Sequence, residues 1–150
     1  MERVSDKIAL VTGATSGIGT AIALKLAKEG AHVIVTGRNR EAGQEAVLEI
    51  NKEREKSIYV DLDVTKESDW ETVVDIITKK YKKLDVLVNN AGITAAKSIE
   101  DTSLEEWRNI IEVNLDGVFI GTKACIPLLR SSDSASIINI SSVLGITAAE

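Results

Sequence analysis

The sequence predicts an α/β fold in which a doubly wound parallel sheet is covered by helices on both faces. Five short runs rich in Val, Ile and Leu alternate with longer stretches whose apolar residues recur at helical spacing. The runs are apolar at consecutive positions, which is typical of strands buried on both faces. A chain of 150 residues is long enough for one domain of this kind with its own core.

The predicted elements follow the order βαβαβαβαβ. The strands are the runs KIALVT (7–12), AHVIVT (31–36), SIYV (57–60), LDVLVN (84–89) and SIINI (136–140). The helices are expected at 17–28, 40–51, 67–81 and 103–129. Right-handed crossovers between parallel strands leave few topologies for this order, and the doubly wound one is the leading candidate.

Side chains that can cap helices mark three of the helix starts. Asn39 and Thr65 are placed to accept from free backbone N–H groups at the second and third helices. Residues 103–106 (SLEE) fit a capping box at the fourth. Gly121 and Pro127 predict an irregular far end to that helix, because glycine weakens a helix and proline removes a donor.

Composition argues against several classes of function. The net charge is −5 and there is no basic cluster, so nucleic acid and anionic membranes are poor partners. With one cysteine and one histidine, the chain offers neither an internal disulfide nor a zinc set, and no metal site is predicted. No apolar stretch approaches the roughly 20 residues of a membrane span, and the first residues do not resemble a signal peptide. A cytoplasmic protein is therefore expected.

The sharpest local motif is glycine-rich and lies between the first strand and the first helix, with the spacing G-x-x-x-G-x-G. Glycines let a backbone turn tightly and approach a ligand, and the helix N-terminus then offers N–H groups to a pyrophosphate. A simple tight turn is the alternative, but the position at the first strand-to-helix junction favours binding. We predict a Rossmann-type dinucleotide site whose phosphate loop contains Gly13, Thr15, Ser16, Gly17, Ile18 and Gly19.

The end of the second strand favours NADP(H) over NAD(H) as the cofactor. In this kind of fold an acidic residue there binds the adenosine ribose 2′-hydroxyl, whereas arginine accommodates a 2′-phosphate. Residues 35–40 read VTGRNR, without Asp or Glu, so Arg38 and Arg40 are the groups in reach. A guanidinium suits phosphate by charge and by bidentate geometry. The alternative is that both arginines merely open the next helix.

Taken in order, the motifs resemble those of the short-chain dehydrogenase/reductase family. Each falls at the place in the pattern where that family has it, and the resemblance covers the whole chain. The motifs are Thr12-Gly13-x-x-x-Gly17-Ile18-Gly19, Asp63-Val64, Asn89-Asn90-Ala91-Gly92, Asn114 and Ser141-Ser142.

The resemblance implies cofactor contacts at two of these motifs. Asp63 and Val64 match the pair that contacts the adenine ring, and a carboxylate can accept from the exocyclic amine. Asn90, Ala91 and Gly92 match the segment that lines the cofactor ribose and stabilises the central sheet.

The resemblance also implies two catalytic residues. Asn114 matches the asparagine that holds a water in a proton relay. Ser142 matches the serine whose hydroxyl hydrogen-bonds the substrate oxygen. Ser141 is the adjacent alternative, and only the family pattern favours Ser142.

The Tyr-x-x-x-Lys segment that supplies the family's acid and base has no counterpart in residues 1–150. It is expected after the serine, and the sequence stops at Glu150 before that point. The tyrosines present, Tyr59 and Tyr81, fall in the third strand and at the end of the third helix. We expect residues 1–150 to be a single cofactor-binding domain that binds the dinucleotide weakly and does not turn over alone. An open sheet edge is expected to make it associate with other chains.

The activity implied is hydride transfer between NADP(H) and a ketone or secondary alcohol. Residues 93–96 and 143–146 are expected to contact a fairly hydrophobic substrate, and the complete enzyme is expected to be a homotetramer or homodimer. A non-catalytic NADP(H)-binding module or sensor is the alternative, although it would need neither Asn114 nor Ser142. A methyltransferase is a more distant alternative, because Gly37-Arg38 supplies no acid for ribose hydroxyls.

Overall fold

The computed structural model describes residues 3–52, 57–95 and 97–143, which form one parallel sheet flanked by helices. The strands are β1 (Ile8–Val11), β2 (His32–Gly37), β3 (Ile58–Asp61), β4 (Val86–Asn89) and β5 (Ser136–Asn139). The helices are α1 (Gly17–Lys28), α2 (Arg40–Ile50), α3 (Glu67–Tyr81), α4 (Leu104–Ile111) and α5 (Gly117–Arg130), and a π-helical turn (Glu112–Asp116) joins the last two.

All strand pairs in this sheet are parallel, and their order is β3-β2-β1-β4-β5. The chain therefore moves outward in one direction from β1 to β3, and in the other direction from β4 to β5. The connections that leave the carboxyl ends of β1 and β4 diverge, which opens a crevice between them. The doubly wound parallel sheet predicted from the sequence is confirmed.

Apolar side chains fill both faces of the sheet, because successive strand residues alternate between the faces. On one face, Leu10 and Leu87 pack with Trp70 of α3 and Cys125 of α5. On the other, Val88 packs with the alternate residues of β1 and β2 and with the apolar sides of α1 and α2. Burial raises the pKa of the Cys125 thiol to about 12, so this cysteine is a packing residue rather than a nucleophile.

Two of the three predicted helix caps are confirmed. The Asn39 side chain accepts from the Ala42 N–H at 3.1 Å. Ser103 and Glu106 form a complete capping box: the Glu106 N–H donates to the Ser103 hydroxyl at 3.1 Å, and the Ser103 N–H donates to the Glu106 carboxylate at 2.9 Å. The expectation for Thr65 is wrong, because α3 is preceded by Lys66 and Thr65 turns back towards Asp63. The Thr65 hydroxyl forms a stronger hydrogen bond when it donates to a charged carboxylate than when it accepts from a helix N–H.

The helix that follows residue 103 departs from the prediction in where it is irregular. Its far end is regular, since α5 continues through Pro127 as far as Arg130. Pro127 lies on the exposed side of the helix, where water can satisfy the carbonyl that proline leaves without a donor. Gly121 is a packing position, because a Cβ there would collide with the Trp70 indole. The irregularity is the π-helical turn at Glu112–Asp116.

A buried carboxylate ties the amino end of the sheet together. Asp85, just before β4, accepts from the Ile8 N–H at 2.8 Å, the Ser132 hydroxyl at 2.6 Å and the Lys83 ammonium at 3.1 Å. Burial alone would raise the pKa of Asp85, but these donors and the Lys83 charge outweigh it and hold the pKa below its ordinary value. Asp85 is therefore ionised, and it joins β1, β4 and the turn before β5.

The strand at one edge of the sheet is exposed. Every residue of β5 is exposed, and the Ile137 and Ile138 side chains remain 44% and 43% accessible. Among the residues that the structure describes, no helix is long and apolar enough to cross a membrane.

Candidate cofactor site

A cleft of about 450 Å³ lies at the carboxyl ends of the strands, where the connections after β1 and β4 diverge. All twelve residues predicted to contact a cofactor line it: Gly13, Thr15, Ser16, Gly17, Ile18, Gly19, Arg38, Asp63, Val64, Asn90, Ala91 and Gly92. Five further lining residues were not assigned to the cofactor from the sequence: Gly37, Asn39, Leu62, Ile93 and Val113. Most of these are direct neighbours of predicted residues, so strand-end position was the signal that could have found them.

The glycines of the loop after β1 have different structural roles. Gly13 and Gly17 have φ angles of +61° and +53°, which only glycine adopts without strain. Gly19 is buried in α1, and a Cβ there would collide with the Gly13 carbonyl and the Asn90 side chain. Gly13 and Gly17 therefore shape the loop, and Gly19 lets the helix pack closely against it.

The N-terminus of α1 opens into the cleft without a side-chain cap. Ser16 is the N-cap residue, but its side chain makes no capping hydrogen bond, and the first turn contains no acidic residue. By contrast, α4 has a complete capping box and two acidic residues in its first turn. The positive end of the α1 dipole is therefore available to an anionic group in the cleft.

Thr12 and Asn90 bind the loop after β1 to the segment after β4. The Thr12 hydroxyl accepts from the Asn90 N–H at 2.9 Å and from the Ala91 N–H at 3.0 Å. The Asn90 side chain donates to the Thr12 carbonyl at 2.9 Å and to the Gly13 carbonyl at 3.2 Å. Two walls of the cleft are thus fixed relative to each other by side chains rather than by strand pairing.

The two arginines after β2 are not equivalent. Arg38 lines the cleft. Arg40 does not line it, and its guanidinium forms an ion pair with Asp61 at 3.2 Å. The expectation that both guanidinium groups are in reach of the site is therefore corrected to Arg38 alone.

Asp63 presents an ionised carboxylate at the end of the cleft near Arg38. Burial alone would raise its pKa, but hydrogen bonds from the Thr65 hydroxyl and N–H, together with the Lys66 and Arg38 charges, hold the pKa below its ordinary value. Its own N–H donates to the Asp69 carboxylate at 2.9 Å. This carboxylate is a fixed acceptor on the cleft wall.

Val64, the next residue, is held from two sides. The Trp70 indole N–H donates to the Val64 carbonyl at 2.9 Å. The Val64 side chain lies so close to Gly117 that a Cβ on that glycine would be 2.8 Å from Val64 Cγ2. A flat apolar group entering the cleft therefore meets a rigid wall at this position.

Asn114 lies in the π-helical turn and binds the backbone of Ile93. Its Nδ2 donates to the Ile93 carbonyl at 2.8 Å, and its Oδ1 accepts from the Ile93 N–H at 2.9 Å. Asn114 itself does not line the cleft, whereas Ile93 and Val113 do. The side chain that was predicted as catalytic thus fixes the backbone at the inner end of the cleft.

Ser142 lies just beyond the carboxyl end of β5. The strands β4 and β5 are in register with Asn89 opposite Asn139, so the residues after β5 start beside the segment Asn89–Gly92. Ser141 and Ser142 are both exposed, and neither lines the cleft. Of the residues expected to contact substrate, Ala96 and residues 144–146 lie outside the described part of the chain.

The glycine-rich loop, the Thr12–Asn90 pairing and the Asn114 turn all lie within a match to a known protein family. The model of the short chain dehydrogenases matches residues 7–150. The chain belongs to the short chain dehydrogenase family.

Relatives in this family are similar along nearly the whole chain. It is 44% identical over 149 residues to the cyclopentanol dehydrogenase of Comamonas testosteroni, covering 99% of this chain and 60% of the relative. It is 43% identical over 145 residues to the NADP-dependent (R)-specific alcohol dehydrogenase of Lentilactobacillus kefiri, covering 96% and 57%. The chain thus spans about 60% of the length of these curated relatives.

A solved structure confirms the fold of this chain. A protein from Escherichia coli CFT073, described as a short chain dehydrogenase, superposes with a TM-score of 0.91 at 32% identity. The match covers 99% of this chain and 67% of that one. The sheet and its helices are therefore the arrangement found in this family.

Proposed function

We propose that this protein is an oxidoreductase that transfers a hydride between NADP(H) and a ketone or secondary alcohol. The observation that carries the proposal is the convergence of twelve residues, from four separate segments of the chain, on one cleft at the switch point of the sheet. The dehydrogenases of cyclopentanol and other alcohols among its relatives support the same class of reaction.

The residues of the cleft fit a dinucleotide. The uncapped N-terminus of α1 would hold the pyrophosphate, and the glycine-rich loop leaves room for it. The fixed Asp63 carboxylate and the Val64 side chain would hold the adenine, one by accepting from its amine and the other by apolar contact. Asn90, Ala91 and Gly92 would lie along the ribose near the inner end.

NADP(H) is the cofactor that these residues favour. The end of β2 carries no carboxylate to bind a ribose 2′-hydroxyl, and Arg38 lines the cleft at that end. The guanidinium can form two parallel hydrogen bonds with a 2′-phosphate. The relative from Lentilactobacillus kefiri is NADP-dependent, which supports this choice.

The bound nicotinamide would supply or accept the hydride. The residues of this chain would orient the substrate and the backbone around it. Ser142 would donate a hydrogen bond to the substrate oxygen, and Asn114 would keep the Ile93 backbone in place. Proton transfer to that oxygen would require the tyrosine and lysine that the family resemblance implies and that residues 1–150 do not contain at the matching position.

A cofactor-binding module without catalysis is the second candidate, and the tyrosines favour it for residues 1–150 taken alone. The Tyr59 hydroxyl lies 2.7 Å from the Gly37 carbonyl and 2.9 Å from an Asp61 carboxylate oxygen. Tyr81 packs edge-on against His32. Neither tyrosine lines the cleft, so neither is placed to protonate a substrate there.

Self-association through α4 and α5 is part of the proposal. Leu104, Trp107, Leu115 and Phe119 are 61%, 53%, 61% and 65% exposed along these helices and the turn between them. Apolar side chains grouped in this way are typical of a protein–protein contact. The proposed partner is a second copy of the chain, in a homodimer or a homotetramer.

Titration of the protein with NADPH and with NADH, followed by cofactor fluorescence, tests the binding step. Saturable binding that is tighter for NADPH is expected, and absence of binding by either dinucleotide would refute the proposal. Turnover is then measured with NADPH and cyclopentanone, in residues 1–150 and in a longer protein that includes the Tyr-x-x-x-Lys segment. Reduction by the longer protein alone supports the enzyme, whereas binding without reduction in both supports the module.

A further inference from the structure

Asp61, the last residue of β3, lies opposite Gly37 in the sheet and has both carboxylate oxygens engaged. One oxygen is 2.9 Å from the Tyr59 hydroxyl, and the other is 3.2 Å from an Arg40 guanidinium nitrogen. The Tyr59 hydroxyl is in turn 2.7 Å from the Gly37 carbonyl. The carboxylate is thus anchored next to the residue that precedes Arg38.

This anchor separates two arginines that the sequence places only two residues apart. Arg38 lines the cleft, and Arg40 is paired outside it. Arg40 is the first residue of α2, and the helix N-terminus is capped by Asn39, so the backbone of Arg40 is fixed. Only the Arg40 side chain can therefore move from one partner to another. The partner it has in the structure is Asp61.

We propose that Asp61 is a specificity-determining residue that limits the preference for a 2′-phosphate. It does so by holding the Arg40 guanidinium away from the cleft and by cancelling its charge. The inference rests on the proposed binding of NADP(H). It adds that only the Arg38 guanidinium serves the site, because the Asp61 carboxylate at the end of β3 is paired with the Arg40 guanidinium.

Because this ion pair is exposed, it can be removed without loss of the fold. The Arg40 and Asp61 side chains are 72% and 54% accessible, and an exposed pair contributes little to folding. Tyr59 keeps the Gly37 carbonyl as a partner if the carboxylate is removed, and its ring is packed against Gly43. Loss of the negative charge would therefore release Arg40 without disturbing the sheet.

The test is the variant Asp61→Asn, which keeps the shape of the side chain and an acceptor for Tyr59. We expect the Kd for NADPH to fall by about three- to tenfold, because one guanidinium is released and one repulsive charge is lost. The Kd for NADH should change by less than about twofold, since it lacks the 2′-phosphate. Adenosine 2′,5′-bisphosphate and 5′-AMP, as probes of the adenosine end alone, should show the same contrast.

Two further variants make the result specific. Asp75→Asn removes the same charge from an exposed pair with Lys79 on α3, at 56% exposure of the Asp75 side chain, and should leave both Kd values unchanged. The double variant Asp61→Asn, Arg40→Gln should lose the gain in NADPH affinity if the released Arg40 provides it. Unchanged thermal unfolding of all variants confirms that the fold is intact.

The outcomes separate this inference from the proposed function. If the parent protein binds NADPH but Asp61→Asn leaves the ratio of the two Kd values unchanged, the inference is wrong and the proposed cofactor stands. A loss of NADPH affinity in Asp61→Asn would show that the carboxylate presents Arg40 to the phosphate, which also overturns it. A gain that persists in the double variant assigns the effect to charge alone and overturns the role of Arg40. If the parent binds neither dinucleotide, the proposed function and this inference both fail.

Discussion

Asn90 donates two hydrogen bonds to Thr12 across the switch point of the sheet, one from its backbone and one from its side chain. The Asn90 N–H donates to the Thr12 hydroxyl, and the Asn90 side chain donates to the Thr12 carbonyl, each at 2.9 Å. The two segments that form the floor of the cleft are therefore one unit, and a change in either partner should be felt in both stability and binding.

Thr12→Val should destabilise the protein, because it keeps the shape of the side chain but leaves the Asn90 and Ala91 N–H groups without their acceptor. A loss of about 2–3 kcal/mol in the free energy of unfolding is expected from urea denaturation. Thr78→Val is the matched control, since the exposed Thr78 hydroxyl donates to the Val74 carbonyl within α3 and links no separate segments. Equal effects of the two substitutions would contradict the role given to Thr12.

Gly19→Ala and Gly17→Ala should differ in cost. The added methyl at Gly17 meets open space, so the cost is that of the left-handed backbone, about 1–2 kcal/mol. At Gly19 it collides with the Gly13 carbonyl and Asn90, and the overpacking should cost about 3 kcal/mol and displace the loop. Unfolding curves compare the two, and a less stable Gly17→Ala would show that close packing at Gly19 is not the constraint.

Arg38→Gln should weaken NADPH and spare NADH. A hydrogen bond to a charged group contributes about 1.5–3 kcal/mol, so the Kd for NADPH should rise by about 10- to 100-fold. Arg40→Gln is the comparison, and it should change the Kd by less than about threefold because that guanidinium is already paired with Asp61. Calorimetric titration gives both values. Equal losses in the two variants would place both arginines at the phosphate.

Asp85 should make stability depend on pH in the acid range. Its pKa is lower in the folded protein than in the unfolded chain, so its contribution is fully present above the unfolded pKa and is lost as the pH falls through the folded one. The free energy of unfolding of the parent protein, measured with urea, should therefore fall below about pH 4. Asp85→Asn should lose about 2 kcal/mol at pH 7 and show a flatter profile below pH 4, with the remaining slope due in part to Asp63. An unchanged slope of stability against pH in Asp85→Asn would show that Asp85 does not cause the pH dependence.

Self-association should depend on the exposed apolar residues of α4 and α5. Trp107→Glu and Phe119→Glu place a charge in the proposed contact and should lower the mass measured by light scattering to that of a monomer. Leu48→Glu, on α2 with 70% exposure, is the control and should leave the assembly unchanged. A monomeric parent protein would refute the proposed association.

The sequence predicted the sheet and the position of the cleft because both depend on local signals. Strand runs, glycine spacing and the end of the second strand predict the glycine-rich loop and Arg38 at the switch point, whereas Asp63, Val64 and residues 90–92 were predicted from the family resemblance. What it could not predict depends on choices between competing partners. Arg40 has Asp61 within reach only once β2 and β3 pair, and Thr65 turns to Asp63 instead of capping α3.

The π-helical turn was missed for a similar reason. Residues 112–116 contain no proline or glycine that would mark the turn. The backbone that Asn114 binds, that of Ile93, is 21 residues away in sequence. Ser142 stays a prediction, since it is exposed beyond β5 and does not line the cleft.

The distance between Asp85 and the cleft has a consequence for how this protein can change over evolutionary time. The amino ends of the strands hold the buried carboxylate that joins β1, β4 and the turn before β5, while the carboxyl ends hold the residues that would select a ligand. Substitutions in the selecting loops therefore leave that junction intact. Exposed side chains at the selecting end, such as Arg38, can therefore change over generations without loosening the strands at the other end, whereas the glycines and Thr12 that shape the cleft cannot change freely.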